Sequence, residues 1–555
     1  MHGQWAGPYD LTQITSEHPN VPLHEITHAV VLPDVEGEVL FWCHVWPTSF
    51  DTSAHGGLPG PTHTFRWSPR VPQSVTKIDV PNNFNGSEDL FCGGHQFLAD
   101  GDVLAFGGTD MTSTSVITGH ASAFRFDLTT QSWQTAGVMH RERWYPNAFP
   151  TPFGLMVLGH TEHPVYSVPT EKTHDRFFDS SGTWDAPTGA AQSRLRNVFD
   201  VLGSPCGITS NLVEVHDYPR CHLLANALEL RYMELETTQQ DWQLDFTTGC
   251  LIPPAERWHL QSGPLNVQHK EASTAHFVIL GAGGVALRDH VIVAAGQERT
   301  TTYVAQTDVD VWSQVGTTPG AWSTAFPDLN EGRVDQNLVI LADGSMLVVG
   351  GADVDALTGN QTAARLNPER FMSTHATNFP LPDTGDAWLA MAPQQHERRY
   401  HSVAGLLPDG RVFSAGGAYP YPVPSPLEPS SHSVEIYSPP YLFKGARPAV
   451  SGLSSTTWTP TPFVSQESFT IQFRPGSTLE HVALIKTGSI THAFDSSQRY
   501  VVLHAVIQPD PVIADKYSVT VDVPPSHFAT PKGDYMLVAV SSLGVPSIAK
   551  MIQIN

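Results

Sequence analysis

Tyr400 and His401 stand side by side in Arg398-Arg399-Tyr400-His401-Ser402-Val403-Ala404, where an apolar strand begins. A phenol beside an imidazole can serve a metal or a proton transfer, and it can equally be ordinary packing. Neighbours on a regular strand point to opposite faces, so the pair can meet one metal only where the chain is still irregular. Cys92, in Asp89-Leu90-Phe91-Cys92-Gly93-Gly94, and Tyr145, in Arg143-Trp144-Tyr145-Pro146-Asn147, occupy comparable points at the starts of their own strands. His492 lies in a loop far along the chain, Thr491-His492-Ala493-Phe494-Asp495. A fold that gathers strand starts around one axis would make neighbours of them.

A different chemistry is suggested by His24-Glu25-Ile26-Thr27-His28, which matches the H-E-x-x-H of zinc peptidases. That motif works on a helix, where positions i and i+4 share a face. Here Pro22 precedes it and a strand-like run, Ala29-Val30-Val31-Leu32, follows. On a strand, residues four apart lie about 13 Å from each other, too far for one zinc, so a strand is expected and a zinc hydrolase is not. His95, His120, His140 and His396 read as ordinary surface or loop histidines.

The elements that must position these residues are repeats. "Apolar strand, Asp-Gly, apolar strand, Gly-Gly" occurs at Phe97 to Gly108, Leu338 to Gly351 and Val403 to Gly417, and Asp-Gly between apolar runs is the strongest two-residue hairpin signal. Weaker copies run from Ala148 to Gly159, with a turn expected at Phe153-Gly154, and from Phe277 to Gly296, with a turn expected at Arg288-Asp289. Ala29 to Trp42 is a degenerate first copy. Intervals of 51 to 66 residues between Gly-Gly ends suit four-stranded kelch-type blades. A further blade is expected near Val201 to Trp242, where the window Arg220 to Glu236 could be strand or short helix. The repeat stops near Ser438-Pro439-Pro440, and short alternating strands follow to the C-terminus, in the manner of an immunoglobulin-like sandwich. The expectation is an all-β chain: a seven-bladed kelch-type β-propeller over residues 1–440 and an immunoglobulin-like β-sandwich over residues 441–555.

Composition agrees with short strands and many turns: of 555 residues, 44 are Gly, 45 are Pro and only 15% are charged. With 54 acidic against 30 basic residues the formal charge is −24, which argues against nucleic acid or an anionic membrane as the main partner. No uninterrupted apolar run reaches membrane-spanning length. Met1-His2-Gly3-Gln4-Trp5 lacks the basic start and apolar stretch of a signal peptide. Five cysteines, Cys43, Cys92, Cys206, Cys221 and Cys250, leave at least one outside internal disulfides, and one bridge among Cys206, Cys221 and Cys250 is plausible.

Taken together, Cys92, the Arg143-Trp144-Tyr145-Pro146 stretch, Tyr400-His401, the Ser438 to Phe443 stretch, the Thr491-His492 loop running to Gln498-Arg499-Tyr500 and the ending Gly544-Val545-Pro546-Ser547-Ile548-Ala549-Lys550 resemble the galactose oxidase and glyoxal oxidase family of copper-radical oxidases. The match runs over the whole chain and leans toward the glyoxal oxidase branch. The resemblance implies an early-set C-terminal domain, one copper ion, and metal ligands at Tyr145, Tyr400, His401 and His492. It implies that Cys92 is joined by a thioether to the ring of Tyr145, which carries the radical, and that Tyr400 takes the substrate proton. Two imidazoles and two phenolate oxygens with one open position suit tetragonal Cu(II). The implied reaction oxidises small aldehydes or primary alcohols with O2 to give H2O2, in an extracellular or periplasmic monomer, with carbohydrate as a conceivable further ligand.

Two features depart from the family pattern. Leu158-Gly159-His160-Thr161-Glu162-His163 has no tryptophan to cover the crosslink, Trp144 is expected to face away from Tyr145, and His160 and His163 read as rim histidines. The sugar-binding arginine of galactose oxidase has no clear counterpart. The rival reading is a non-catalytic kelch propeller that binds carbohydrate, and retention of all five residues argues against it.

Overall fold

The computed structural model describes residues 2–11, 23–46, 63–78, 88–110, 118–160, 175–178, 182–184, 217–225, 229–233, 241–245, 257–261, 271–461 and 465–555, apart from 35, 152–153, 300, 324–325, 374–378 and 418–431. Among these residues, regular structure is strand, with two short 3-10 turns, Ala282–Gly284 and Pro440–Phe443.

The chain runs as successive up-and-down antiparallel ladders. Leu23–Val31, Val39–Trp46, His63–Trp67 and Val75–Ile78 make the first. Gly94–Phe97, Val103–Phe106 and Thr118–Asp127 lead into the long strand Ser132–Thr151. The far end of that strand begins the next ladder, with Gly154–His160, Asp175–Phe178 and Thr183–Trp184. Then come Arg220–Leu224 to Arg257–Gln261, Ser273–Leu280 to Ala321–Ser323, Val334–Ile340 to Leu389–Ala390, and finally Val403–Leu406, Val412–Ala415 and Ser433–Ser438. The last ladder takes its outer strand from the N-terminus, Gln4–Asp10, paired Gln4 to Ser438 and Asp10 to Ser433. Within the window Arg220 to Glu236 the described residues form two strands, Arg220–Leu224 and Glu229–Met233, and a turn residue, not a helix. The turn expected at Arg288-Asp289 is not there: both residues lie inside Ala286–Ala294, and the chain reverses at Gly281 to Gly284. Two positive-φ glycines, Gly283 and Gly284, outcompete a polar pair as the turn.

The ladders are joined start to end. The second glycine of a Gly-Gly (or Ala-Gly) end donates its N–H to the carbonyl of an arginine that precedes the next inner strand: Gly108 to Arg143 at 3.1 Å, Gly296 to Arg333 at 3.0 Å and Gly351 to Arg398 at 2.7 Å. Those arginines are themselves buried, and each donates back to its own ladder, Arg143 to the carbonyl of Gly159, Arg333 to Gly350 and Arg398 to Gly416. Gly416 also shows why no larger residue serves. Its φ is +69°, and a Cβ there would sit 2.0 Å from the carbonyl oxygen of Ile26, which brings the last ladder against the first. Two of the arginines carry buried carboxylate partners, Arg333 with Glu369 at 2.6 Å and Arg398 with Glu435 at 3.2 Å.

Beyond residue 447 two sheets face each other. One is Ala449–Ser451, Gln466–Gln472, Lys516–Asp522 and Ala505–Pro509. The other holds Arg499–Leu503, Leu479–Lys486, Gly533–Ser541, Lys550–Ile554 and Thr457–Trp458. Trp458, Phe469, Ile471, Leu484, Val519 and Leu537 fill the space between them. The sandwich is tied to the ladders twice. Arg499 to Val502 pair in parallel with His276 to Ile279, and Ser489 to Thr491 pair with Val30 to His28.

Breaking a buried pair by removing one partner costs about 3–5 kcal/mol, because a charge is left uncompensated. Glu435→Ala, which strands Arg398 three residues before His401, is therefore expected to lower the urea midpoint clearly. An unchanged midpoint would show that Arg398 is held by main-chain carbonyls alone.

Candidate metal centre

The side chains singled out in the sequence meet because the backbone is turned the same way at the starts of several inner strands. Cys92 (φ 59°), Tyr145 (φ 51°), Tyr218 (φ 45°), Glu271 (φ 59°), Asp335 (φ 56°) and His401 (φ 72°) are all non-glycine residues in the left-handed region. Such residues are uncommon, cost of order 1–3 kcal/mol each, and cluster at functional sites. Main-chain bonds link them around the axis, with Tyr145 N–H on the Cys92 carbonyl and Tyr218 N–H on the Tyr145 carbonyl, both at 2.9 Å. The left-handed turn also breaks the alternation of the strand. That is how Tyr400 and His401, although adjacent, both reach the centre, their ring centroids 4.0 Å apart.

His492 arrives from the other domain. Ser489–Thr491 and Phe494–Asp495 form a hairpin paired Thr491 to Phe494. The turn residues His492 and Ala493 have φ of 46° and 62°. Two positive φ values define a type I′ turn, ordinarily the province of Asn-Gly. The tip is held from several ladders: Ala493 N–H on the Ser402 carbonyl and the Ser273 hydroxyl on the Ala493 carbonyl, each at 3.0 Å, and the Thr491 hydroxyl on the Thr27 carbonyl at 3.1 Å. The Asp495 carboxylate ties the hairpin base to the Ser489 and Ser497 amides.

At the centre the Tyr145 and Tyr400 hydroxyls are 2.5 Å apart. The His401 and His492 rings lie 4.6 Å from each other, and His492 lies 5.0 Å from the Tyr145 ring and 5.5 Å from Tyr400. Nε2 of His492 is 3.8 Å from Sγ of Cys92. Cys92, Tyr145, His401 and His492 are buried, while Tyr400 keeps partial exposure and so stands on the approachable side.

The tautomer of each histidine follows from its neighbours. Nδ1 of His401 lies 3.1 Å from the Glu25 carboxylate, which can only accept when ionised. The Thr491 hydroxyl spends its hydrogen on Thr27, so at 2.6 Å from Nδ1 of His492 it accepts. Both rings therefore carry their proton on Nδ1 and offer the Nε2 lone pair, the arrangement usual in metal-binding histidines. Burial, then the neighbouring His401, His28 and His95, hold His492 well below its ordinary pKa, so it stays neutral. Burial likewise pushes Tyr145, Tyr400 and Cys92 well above their usual ranges. Two phenols packed against each other resist ionisation, and a bound dication would reverse that balance. A metal at this place would meet the two imidazoles and the two tyrosine oxygens. Two imidazole nitrogens and two phenol oxygens fit copper.

Other residues surround the centre. The strand Leu23–Val31 disposes of zinc at His24 and His28, as expected, yet Glu25 orients His401 from within the same motif. Trp144 does not face away: its ring meets Tyr145 at 4.0 Å and 85°, because the left-handed Tyr145 lets consecutive side chains converge. Its indole N–H reaches the Thr109 hydroxyl at 3.3 Å. Tyr218 covers another side, 4.8 Å from both Tyr145 and His492. Tyr218-Pro219 repeats the Tyr145-Pro146 pair and could have been found by that signal. His95 and His120 are buried rather than superficial. His95, in an inner strand, meets the Ser489 hydroxyl at 2.7 Å. Cys221 is a buried free thiol, so it enters no bridge. Cys206, Cys250 and His163 lie outside the described residues, as do the side chains of Cys43 and His160.

Comparison with known proteins agrees with this architecture. Residues 447–554 match the family described as "Galactose oxidase-like, Early set domain". The chain is similar to the aldehyde oxidase GLOX of Vitis pseudoreticulata, 27% identical over 482 residues covering 84% of this chain and 82% of that protein. It is also similar to galactose oxidase of Gibberella zeae, 23% identical over 557 residues covering 97% of this chain and 70% of that one. Its fold matches, with a TM-score of 0.70 over the full length of both chains and 19% identity, a fungal alcohol oxidase of the AA5 family solved in complex with copper.

Residues that orient a ligating histidine typically carry 10–100-fold of metal affinity. Glu25→Gln and Thr491→Val are each expected to weaken Cu(II) binding by about that factor in a competition titration. Wild-type affinity in both would contradict the tautomer assignment.

Proposed function

We propose that the protein is a copper-radical oxidase that takes small primary alcohols or hydrated aldehydes up one oxidation level and passes the electrons to O2. The observation that carries the reading is the convergence of Tyr145, Tyr400, His401 and His492 on one point, with Cys92 against it. Copper held by those four residues would supply the second of the two one-electron stores that a two-electron oxidation needs, and O2 would take the two electrons from them, with two protons, and leave as H2O2.

The chain's own groups do the rest. Tyr400, partly exposed, takes the proton of the substrate hydroxyl. Tyr145, as a phenoxyl radical, takes the hydrogen of the carbinol carbon. Trp144 and Tyr218 close around that ring and exclude water from it. Glu25 and Thr491 hold both imidazoles in the ligating tautomer. We further propose a thioether between Sγ of Cys92 and the Tyr145 ring carbon ortho to the hydroxyl. Its formation removes the S–H and ring C–H hydrogens, two protons and two electrons, which reduce O2 to H2O2. A purely carbohydrate-binding module has no use for two paired phenols facing two oriented imidazoles.

The proposal includes the architecture: the successive ladders are the seven blades of a kelch-type propeller within residues 1–440, with the early-set sandwich in residues 441–555. Inner-strand contacts from Ser273–Leu280 to Val334–Ile340, to Val403–Leu406 and on to Leu23–Val31 support a closed ring. Extracellular or periplasmic residence belongs to the same proposal.

Copper loading of the full chain under air is expected to lower the intact mass by two hydrogen atoms and to start peroxide production from short alcohols or aldehydes. Cys92→Ala should lose the mass change, and His492→Ala should lose copper although it lies outside the propeller. An unchanged mass with no peroxide from a broad panel would sink the oxidase reading.

A further inference from the structure

A row of rings leads from the centre to the outside of the second ladder. Tyr145 lies 5.0 Å from His492, His492 5.6 Å from His28, and His28 5.0 Å from Trp42, stacked at 12°. Trp42 meets Trp133 edge to face at 6.0 Å. His95 flanks the middle of the row, 5.3 Å from His28 and 4.6 Å from Trp42. The rings come from the inner strand Leu23–Val31, its neighbour Val39–Trp46, the strand Ser132–Thr151 and the turn at His492. The row ends close to solvent. Trp133 is 5% exposed and stands between Ser132, which is half-buried, and Gln134, which is exposed.

Core filling accounts for large rings here, and Trp42 and Trp133 do lie among Val30, Leu40, Phe97 and Phe124. It does not account for the polar atoms. The buried indole N–H of Trp42 has no hydrogen-bond acceptor among the described residues, where a phenylalanine would fill space without that cost. An unsatisfied buried group in a native protein calls for a reason, and a redox role is one. The missing acceptor has a chemical consequence. An indole that loses an electron becomes a cation and sheds its N–H proton to any base in reach. Trp42 has none, so it can lose and regain an electron with its proton in place. Trp133 donates to the Thr64 hydroxyl at 3.2 Å, which is too weak a base to take the proton and gives its own hydrogen to the Ile78 carbonyl.

We propose that His492, His28, Trp42 and Trp133 form an electron path between Tyr145 and the surface, by which a one-electron oxidant too large for the substrate opening generates the Tyr145 radical. The oxidant takes one electron from Trp133. Trp133 is refilled from Trp42, and Trp42 from Tyr145 across the His28 and His492 rings. Mild oxidants do not oxidise imidazole, so the two histidines are a bridge and the two indoles are the stops. The Tyr145 phenolate becomes the phenoxyl radical, the oxidant is reduced by one electron, and no proton moves. This rests on reading Tyr145 as a copper-bound phenolate that holds the radical.

The test uses the full chain, loaded with copper, matured in air and brought to the radical-free Cu(II) state. Tris(bipyridine)osmium(III), a bulky oxidant with no free ligating position, is added, and loss of the Cu(II) paramagnetic signal is followed by rapid freezing, which needs no turnover. Trp42→Phe and Trp133→Phe keep an apolar ring and remove the indole. Each is expected to slow the loss about tenfold, as a barrier higher by about 1.4 kcal/mol gives, with copper content, final extent of loss and kcat of the fully oxidised enzyme unchanged. Trp312→Phe, at an equally buried tryptophan off the path, should keep the wild-type rate. If Trp42→Phe does not fold, Trp133→Phe, nearer the surface, decides. A wild-type rate in either folded path variant, or equal slowing in Trp312→Phe, overturns the proposal. A protein that loses its Cu(II) signal at an indole-dependent rate yet makes no peroxide overturns the oxidase reading and leaves the path standing. A Cu(II) signal that survives the oxidant in the wild type overturns both.

Discussion

The centre depends on one insertion. The hairpin Ser489–Thr491/Phe494–Asp495 leaves the C-terminal sandwich and adds itself to the inner strand Leu23–Val31 of the first ladder. Its turn bears His492 and Ala493 in a conformation that suits Asn-Gly far better. A strained turn of this kind persists only where its surroundings over-determine it, and here Thr27, Ser273 and Ser402 hold it from three ladders. The inner strands position three of the four side chains proposed as ligands, and the hairpin delivers the fourth. Arg499, a few residues on, anchors the same segment by donating to the carbonyls of Leu223, Phe528 and Ala529.

The same left-handed turn, repeated at the starts of inner strands, explains how a ladder protein builds a functional point at all. A regular strand sends alternate side chains into the neighbouring ladders, as the buried apolar pattern of Val334–Ile340 and Met346–Val354 illustrates. A left-handed residue at or near the start of several inner strands redirects a side chain toward the centre, while the strand residues that follow keep their packing. Chemistry and stability are thereby carried by different residues of the same repeat. The cores between ladders are aliphatic and aromatic, and the axis receives phenols, imidazoles, a thiol and carboxylates.

Much of this was legible in the chain. Asp-Gly between apolar runs and Gly-Gly at their ends marks the hairpins, because tight turns and close approach of neighbouring ladders need positive φ. The five residues Cys92, Tyr145, Tyr400, His401 and His492 could be named by their place at strand starts and by resemblance. The supporting residues could not. Glu25 sits in a motif whose spacing is wrong for zinc on a strand, and its partner His401 lies most of the chain away. Strand alternation would turn Trp144 away from Tyr145, and the left-handed Tyr145 breaks that alternation. His95 reads as a polar loop residue until the hairpin that buries it is in place.

The central claim is that Tyr145 is a copper-bound phenol able to hold an unpaired electron. Electron paramagnetic resonance of the copper-loaded, air-matured protein, before and after a mild one-electron oxidant, tests it most directly. A ligand radical on Tyr145 pairs its spin with Cu(II), so oxidation should abolish the Cu(II) signal, reduction should restore it, and Tyr145→Phe should keep it throughout. A Cu(II) signal that survives oxidation unchanged in the wild-type protein would contradict the account.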